Sequence, residues 1–125
     1  DGDDEAPLTA AQRELAEEAG LAAERWHVLV DLVSSAGFTD EALRVFLAEG
    51  LSEVARSEIE NEEADLVLHW LPLDEAVAAV FSGEIVNASA VAGILAVASA
   101  DQAGAPLRPV EAPWRDRPTR FSARS

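Results

Sequence analysis

Three glutamates at helical spacing, Glu14, Glu17 and Glu18, are the residues of this 125-residue chain whose types and positions invite chemistry. On a helix turning 100° per residue, Glu14 and Glu18 lie about 40° apart, and Glu17 lies about 60° to the other side of Glu14. Leu8, Ala11, Leu15 and Ala19 fill the neighbouring face, so the acids stand at the edge of an apolar stripe rather than opposite it. Like charges one turn apart destabilise a helix by about 0.2–0.5 kcal/mol per pair. A hard divalent cation such as Mg²⁺ or Mn²⁺ would relieve that repulsion, because it takes carboxylate oxygens and keeps waters for a substrate phosphate. Such ions neutralise phosphate charge and activate water. From the acids alone, however, a plain solvated face is the more economical reading.

The elements that must position these residues follow from periodicity and punctuation. Pro7 suits the first turn of a helix, where its missing N–H costs nothing, and Gly20 sits where a helix commonly ends, which predicts a helix over 7–19. Trp26–Val33 and Ala42–Ala48 are β-prone runs and predict a hairpin with a long polar tip at 38–41. Residues 52–65 are acid-rich without a clean period and read as a loop, followed by a strand over 66–71 that Pro72 ends. A helix over 74–82 stops at Gly83, and Asn87 is a good N-cap for a last helix to about Ala100. The order is an α/β (α+β) pattern with a mixed β-sheet between helices. Three strands are a poor sheet for three helices, so the expectation is that strands are missing upstream.

Composition limits the function classes. The formal charge is −15, with 22 of the 24 acids against four arginines in residues 1–104, and five arginines against Glu111 and Asp116 in the last 21 residues. So acidic a body repels a phosphate backbone, which argues against nucleic-acid binding. No apolar run is long enough for a membrane span, and the opening Asp1-Gly2-Asp3-Asp4-Glu5 is not a signal peptide. The absence of cysteine fits a reducing compartment, so the expected location is cytoplasmic. Residues 1–104 read as one domain, and residues 105–125, rich in proline and arginine, as a tail over its surface or a partner. His27, His69, Trp26 and Trp70 are expected to pack in the core.

The acids belong to a longer pattern. Arg13-Glu14-Leu15-Ala16-Glu17-Glu18-Ala19-Gly20-Leu21, with Glu5 placed seven intervening residues before Arg13, resembles the signature of the Nudix hydrolases at each of these positions. The glycine that opens the signature would fall just before Asp1, so the chain departs from the pattern there. The resemblance implies a Nudix fold whose N-terminal strands are missing from this chain. It implies Glu14 and Glu18 as main metal ligands, Glu17 as a further ligand, and Arg13 as a structural arginine. It also gives Glu5 and Gly20 supporting places in the motif.

Later residues resemble the bacterial ADP-ribose pyrophosphatase branch of that family. They are the turn Ser35-Ala36-Gly37-Phe38-Thr39-Asp40-Glu41, the acidic loop Asn61-Glu62-Glu63-Ala64-Asp65, and the stretches Leu71–Ala76 and Gly83–Asn87. The resemblance implies that Glu63, or else Glu62, is the general base or positions the attacking water. Phe38, Asp40 and Glu41 would reach the terminal ribose or else form an ordinary hairpin tip. It further implies cleavage of ADP-ribose to AMP and ribose 5-phosphate with Mg²⁺ or Mn²⁺, in a homodimer with exchanged N-terminal strands. Another nucleoside diphosphate derivative as substrate, or a non-catalytic Nudix-like binding module, are the alternatives.

Overall fold

A computed structural model describes residues 6–36, 39–55 and 70–117. Helix α1 spans Pro7–Glu14, with Pro7 in its first turn, and continues directly into a π-helical turn, Leu15–Ala19. The expected helix over 7–19 is therefore present, but its last five residues are wound more widely than an α-helix. Gly20 ends it at φ 70°, ψ 34°, a left-handed conformation that any side chain would strain.

Strand β1, Leu21–Ala36, follows at once and pairs antiparallel with β2, Thr39–Glu53. The register runs from Leu21 opposite Glu53 to Ala36 opposite Thr39, with an irregularity between Val28 and Val30. Both strands are longer than the apolar runs that predicted them. Leu21–Arg25 have little strand propensity, but the ladder recruits them because their partners Glu49–Glu53 are held opposite. The ladder likewise takes in Thr39, Asp40 and Glu41, expected in the tip, and Ser52 and Glu53, expected in a loop. The Val54 amide donates to the Gly20 carbonyl at 2.9 Å, which ties the end of β2 to the end of the π turn.

Helix α2, Leu73–Ser82, begins after Pro72 and ends at Gly83. Helix α3, Ala88–Ala103, is capped by Asn87, whose Oδ1 accepts from the Ala90 amide at 3.0 Å. It lies against the side of the hairpin that carries Leu29 and Val45. A Cβ added at Gly93 would stand 3.4 Å from Val45 Cγ1 and 3.8 Å from Leu29 Cδ2, so a small residue there permits the close approach. The expected strand over 66–71 lies mostly outside the described residues; its last two, Trp70 and Leu71, have irregular backbone. Trp70 is also 68% exposed, which corrects its expected place in the core. Trp26 does pack, edge-to-face with Phe46 at 6.2 Å between ring centroids.

Residues 105–117 lie on the hairpin. The Val28 amide donates to the Arg108 carbonyl at 2.9 Å. Asp31 and Arg44 stand opposite each other in the ladder, and Arg44 donates from Nε to Oδ1 at 2.7 Å and from Nη2 to Oδ2 at 3.0 Å. The same guanidinium donates to the Ala112 and Pro113 carbonyls at 2.9 and 3.1 Å, and lies 5.1 Å from the centre of the Trp114 ring. Arg108 adds a second donor to Asp31 Oδ2 at 3.0 Å. Hydrogen bonding from Arg44 holds the Asp31 carboxyl below its ordinary range; burial opposes this, and Arg108 reinforces it. Trp114 thus lies against the hairpin of its own chain. Among the described residues Leu21, Val28 and Ala76 are the buried apolar ones, and most others in the elements are half-buried.

Candidate active site

The first turns of the chain put carboxylates on one exposed helical end. Glu14 closes α1, and Glu18 lies one turn on, inside the π segment. Both are exposed, and neither makes an ion pair or a hydrogen bond among the described residues. Glu17 is half-buried and is held by Arg13, whose Nη1 donates to Oε1 at 3.1 Å. Exposed pairs at this spacing contribute about 0.3–0.5 kcal/mol, so the effect of this one is to orient Glu17 rather than to stabilise the helix. Among the described residues, no three carboxylates or imidazoles converge closely enough to hold an ion by themselves. The helix therefore offers two unpartnered carboxylates and a third that is engaged by a cation.

The wider π turn changes the geometry expected from the sequence. Gly20 donates to both the Ala16 and Leu15 carbonyls, so the last turn mixes four- and five-residue spacings. The 40° offset between Glu14 and Glu18 holds only for an ideal α-helix; here the residues past Glu14 turn less per step.

Of the other expected site residues, Glu41 is exposed in β2, directly opposite Ser34. The backbone of Asp40 also lies in β2. Glu5, Phe38, Glu62, Glu63 and His69 lie outside the described residues. His27 faces Leu47 across the ladder and is half-buried, as expected of a packing residue, although its Nδ1 is buried without a partner among the described residues. It lines an open cleft of about 560 Å³ with Leu47, Glu49, Val97, Asp101 and Leu107. No residue of the helix 7–19 lines that cleft.

The Nudix domain family matches residues 2–91, most of the chain. The chain belongs to the Nudix family. The matched Nudix region contains all of the helix with Glu14, Glu17 and Glu18. Among curated proteins, an ADP-ribose pyrophosphatase of Mycobacterium tuberculosis is 52% identical over 96% of this chain and 58% of its own length. An ADP-ribose pyrophosphatase of Bacillus subtilis is 34% identical over 67% of this chain and 45% of its own length. A CMP-5'-(N-acetyl-N-hydroxy-3-aminopropyl)phosphonate hydrolase of Streptomyces rubellomurinus is also 34% identical, over 76% of this chain and 45% of its length. The chain thus spans about half the length of the curated Nudix relatives it matches. No helix among the described residues is long and apolar enough to cross a membrane.

The signal that sequence reasoning passed over is the Asp31–Arg44 pair. The two residues are 13 positions apart and become opposite only once the hairpin register is known.

Proposed function

We propose that this Nudix chain contributes the metal-binding helix to hydrolysis of ADP-ribose, giving AMP and ribose 5-phosphate. The observation that carries the reading is the 52% identity to an ADP-ribose pyrophosphatase along nearly the whole chain, with Glu14 and Glu18 on the matched helix exposed and without a partner among the described residues. Their donor set suits the chemistry: hard carboxylate oxygens, one turn apart, for a hard divalent cation such as Mg²⁺ or Mn²⁺. When bound, the cations would neutralise the pyrophosphate and make a water easier to deprotonate.

In this reading Glu14 and Glu18 hold the cations, and Glu17, steadied by Arg13, completes or supports the set. Glu63, with Glu62 as the second choice, accepts the proton of the attacking water. A P–O bond of the pyrophosphate breaks as the new one forms, and the phosphate that leaves carries away the electron pair. Glu5 and Gly20 hold the motif at its two ends. Phe38, Asp40 and Glu41 sit toward the terminal ribose. The working protein is a cytoplasmic homodimer with exchanged N-terminal strands, and residues 1–104 are its Nudix portion with 105–125 as an appendage.

Release of AMP from ADP-ribose with Mg²⁺ or Mn²⁺, wild type beside Glu18→Gln, tests the proposal. Turnover that the substitution abolishes supports both the helix and the substrate. A second reading, another nucleoside phosphate derivative as substrate, draws on the CMP-phosphonate hydrolase among the relatives. It is favoured if ADP-ribose stays intact while a CMP- or sugar-linked compound is cleaved with the same dependence on Glu18. Absence of metal-dependent turnover on all of them would refute both readings and leave a binding module.

A further inference from the structure

The attachment of residues 105–117 to the hairpin is concentrated in very few places. The segment leaves α3 at Gly104 and contains two turn hydrogen bonds of its own, Ala112 to Pro109 at 2.9 Å and Arg117 to Trp114 at 3.2 Å. Its backbone meets β1 at one isolated bridge, between Val28 and Arg108. Leu107, Val110, Ala112 and Trp114 are half-buried, while the residues between them are exposed. Trp114 lies against the body, yet its Nε1 is buried without a partner among the described residues, so no hydrogen bond of the indole anchors the ring.

Beside that bridge and the Arg108–Asp31 ion pair at 3.0 Å, the polar attachments described for the segment converge on one side chain. The Arg44 side chain is only 4% exposed, and its guanidinium joins Asp31 of β1 to the Ala112 and Pro113 carbonyls and the Trp114 ring. Charge-assisted and two-pronged bonds of this kind are the strong ones, and lysine cannot reproduce the fork. Asp31 and Arg44 face each other across the ladder, but the bonds to the Ala112, Pro113 and Arg108 carbonyls and the Arg108–Asp31 pair lie outside its backbone bonds, so the segment can lift while the ladder stays closed. Beneath it lies the side of β1 that pairs with no other strand among the described residues, at its irregularity, where the Val28 amide points at Arg108 rather than at β2. An uncovered edge amide of this kind is a template for pairing with another extended chain.

We infer that residues 105–117 form a strap that opens and closes over the β1 edge independently of the hairpin, with Arg44 as its buckle. The inference does not depend on the reaction proposed above. The Val28 amide is a built-in reporter: Val28 is 1% exposed, and its amide is protected by the strap, whereas the β1 amides bonded to β2 are protected by the ladder.

Amide hydrogen exchange followed by NMR in the full chain tests this. In the wild type, Val28 is expected to exchange at least about tenfold faster than the β1 amides bonded to β2. Arg44→Lys, which keeps the charge and loses the fork, should accelerate Val28 by about a further tenfold with the ladder amides unchanged. Trp114→Leu should act in the same direction, and serves if the Arg44 variant fails to fold. Val28 exchanging in step with the ladder in the wild type would show that the strap cannot open by itself. Val28 rates unmoved by both substitutions would remove Arg44 and its stacked ring as the buckle. Either result overturns the inference.

Discussion

At the scale of single residues, the acids divide by what surrounds them. Glu14 and Glu18 are exposed and have no partner among the described residues, Glu17 is held by Arg13, and Asp31 is enclosed by two guanidinium groups. Those surroundings predict different responses. If Glu63 takes the proton from the attacking water, Glu63→Gln lowers kcat by about 10²–10⁴-fold and Glu62→Gln leaves it nearly unchanged; steady-state rates on ADP-ribose decide between them. Asp31 makes a prediction about pH. Its carboxyl is held below the ordinary range in the folded protein, so the ionised form favours folding. That contribution is fully present at neutral pH and fades as the pH falls below about 4, the range in which an unfolded aspartate protonates. Melting temperatures measured from pH 7 to pH 3 should fall more steeply in the wild type than in Asp31→Asn. The helix acids were legible in the sequence because a helix brings near neighbours together. Asp31 was not, because its partners come from across a hairpin and from a segment 77 positions away.

At the scale of elements, helix ends were the most legible feature. Pro7, Gly83 and Asn87 each act within a few residues of themselves, and each stands where its chemistry predicts. Strand lengths were less legible, since Leu21–Arg25 join β1 through pairing rather than through their own preference. Trp70 was misread because large apolar residues are often, but not always, interior. Gly50 shows how a strand constrains composition locally. It sits in β2 with φ of 73°, and a Cβ there would lie 2.9 Å from both Cβ and Oε1 of Glu24. Gly50→Ala is expected to destabilise the chain by about 1–2 kcal/mol. Urea denaturation would show this as a lower midpoint with an unchanged slope; an unchanged midpoint would contradict it.

Charge sets the behaviour of the whole molecule. A net charge of −15 repels itself, and the described ion pairs, apart from the two made by Asp31, are largely exposed. Raising NaCl from about 10 mM to about 0.5 M should therefore raise the melting temperature by screening that repulsion. Mg²⁺ or Mn²⁺ at matched ionic strength should raise it further if Glu14 and Glu18 take a cation, and Glu18→Gln should remove the excess. An identical response to NaCl and to divalent salt would argue against a site on the helix. The family was readable from residues 5–21 alone, because its signature sets residue types at fixed spacing within one short stretch.

The bond between Val54 and Gly20 has a further consequence, for distance along the chain. These residues are 34 positions apart, yet one hydrogen bond joins them. Glu18 precedes that junction by two residues, and Glu62 and Glu63 follow it by eight and nine. Nine residues of any conformation span at most about 30 Å, which bounds the distance of residue 63 from that junction. The hairpin is a return path, and it turns a long separation in sequence into a short tether. Glycine and serine inserted between Val54 and Glu62 would relax that bound without altering either glutamate, and if Glu63 serves the site as proposed, turnover should decline with each added residue.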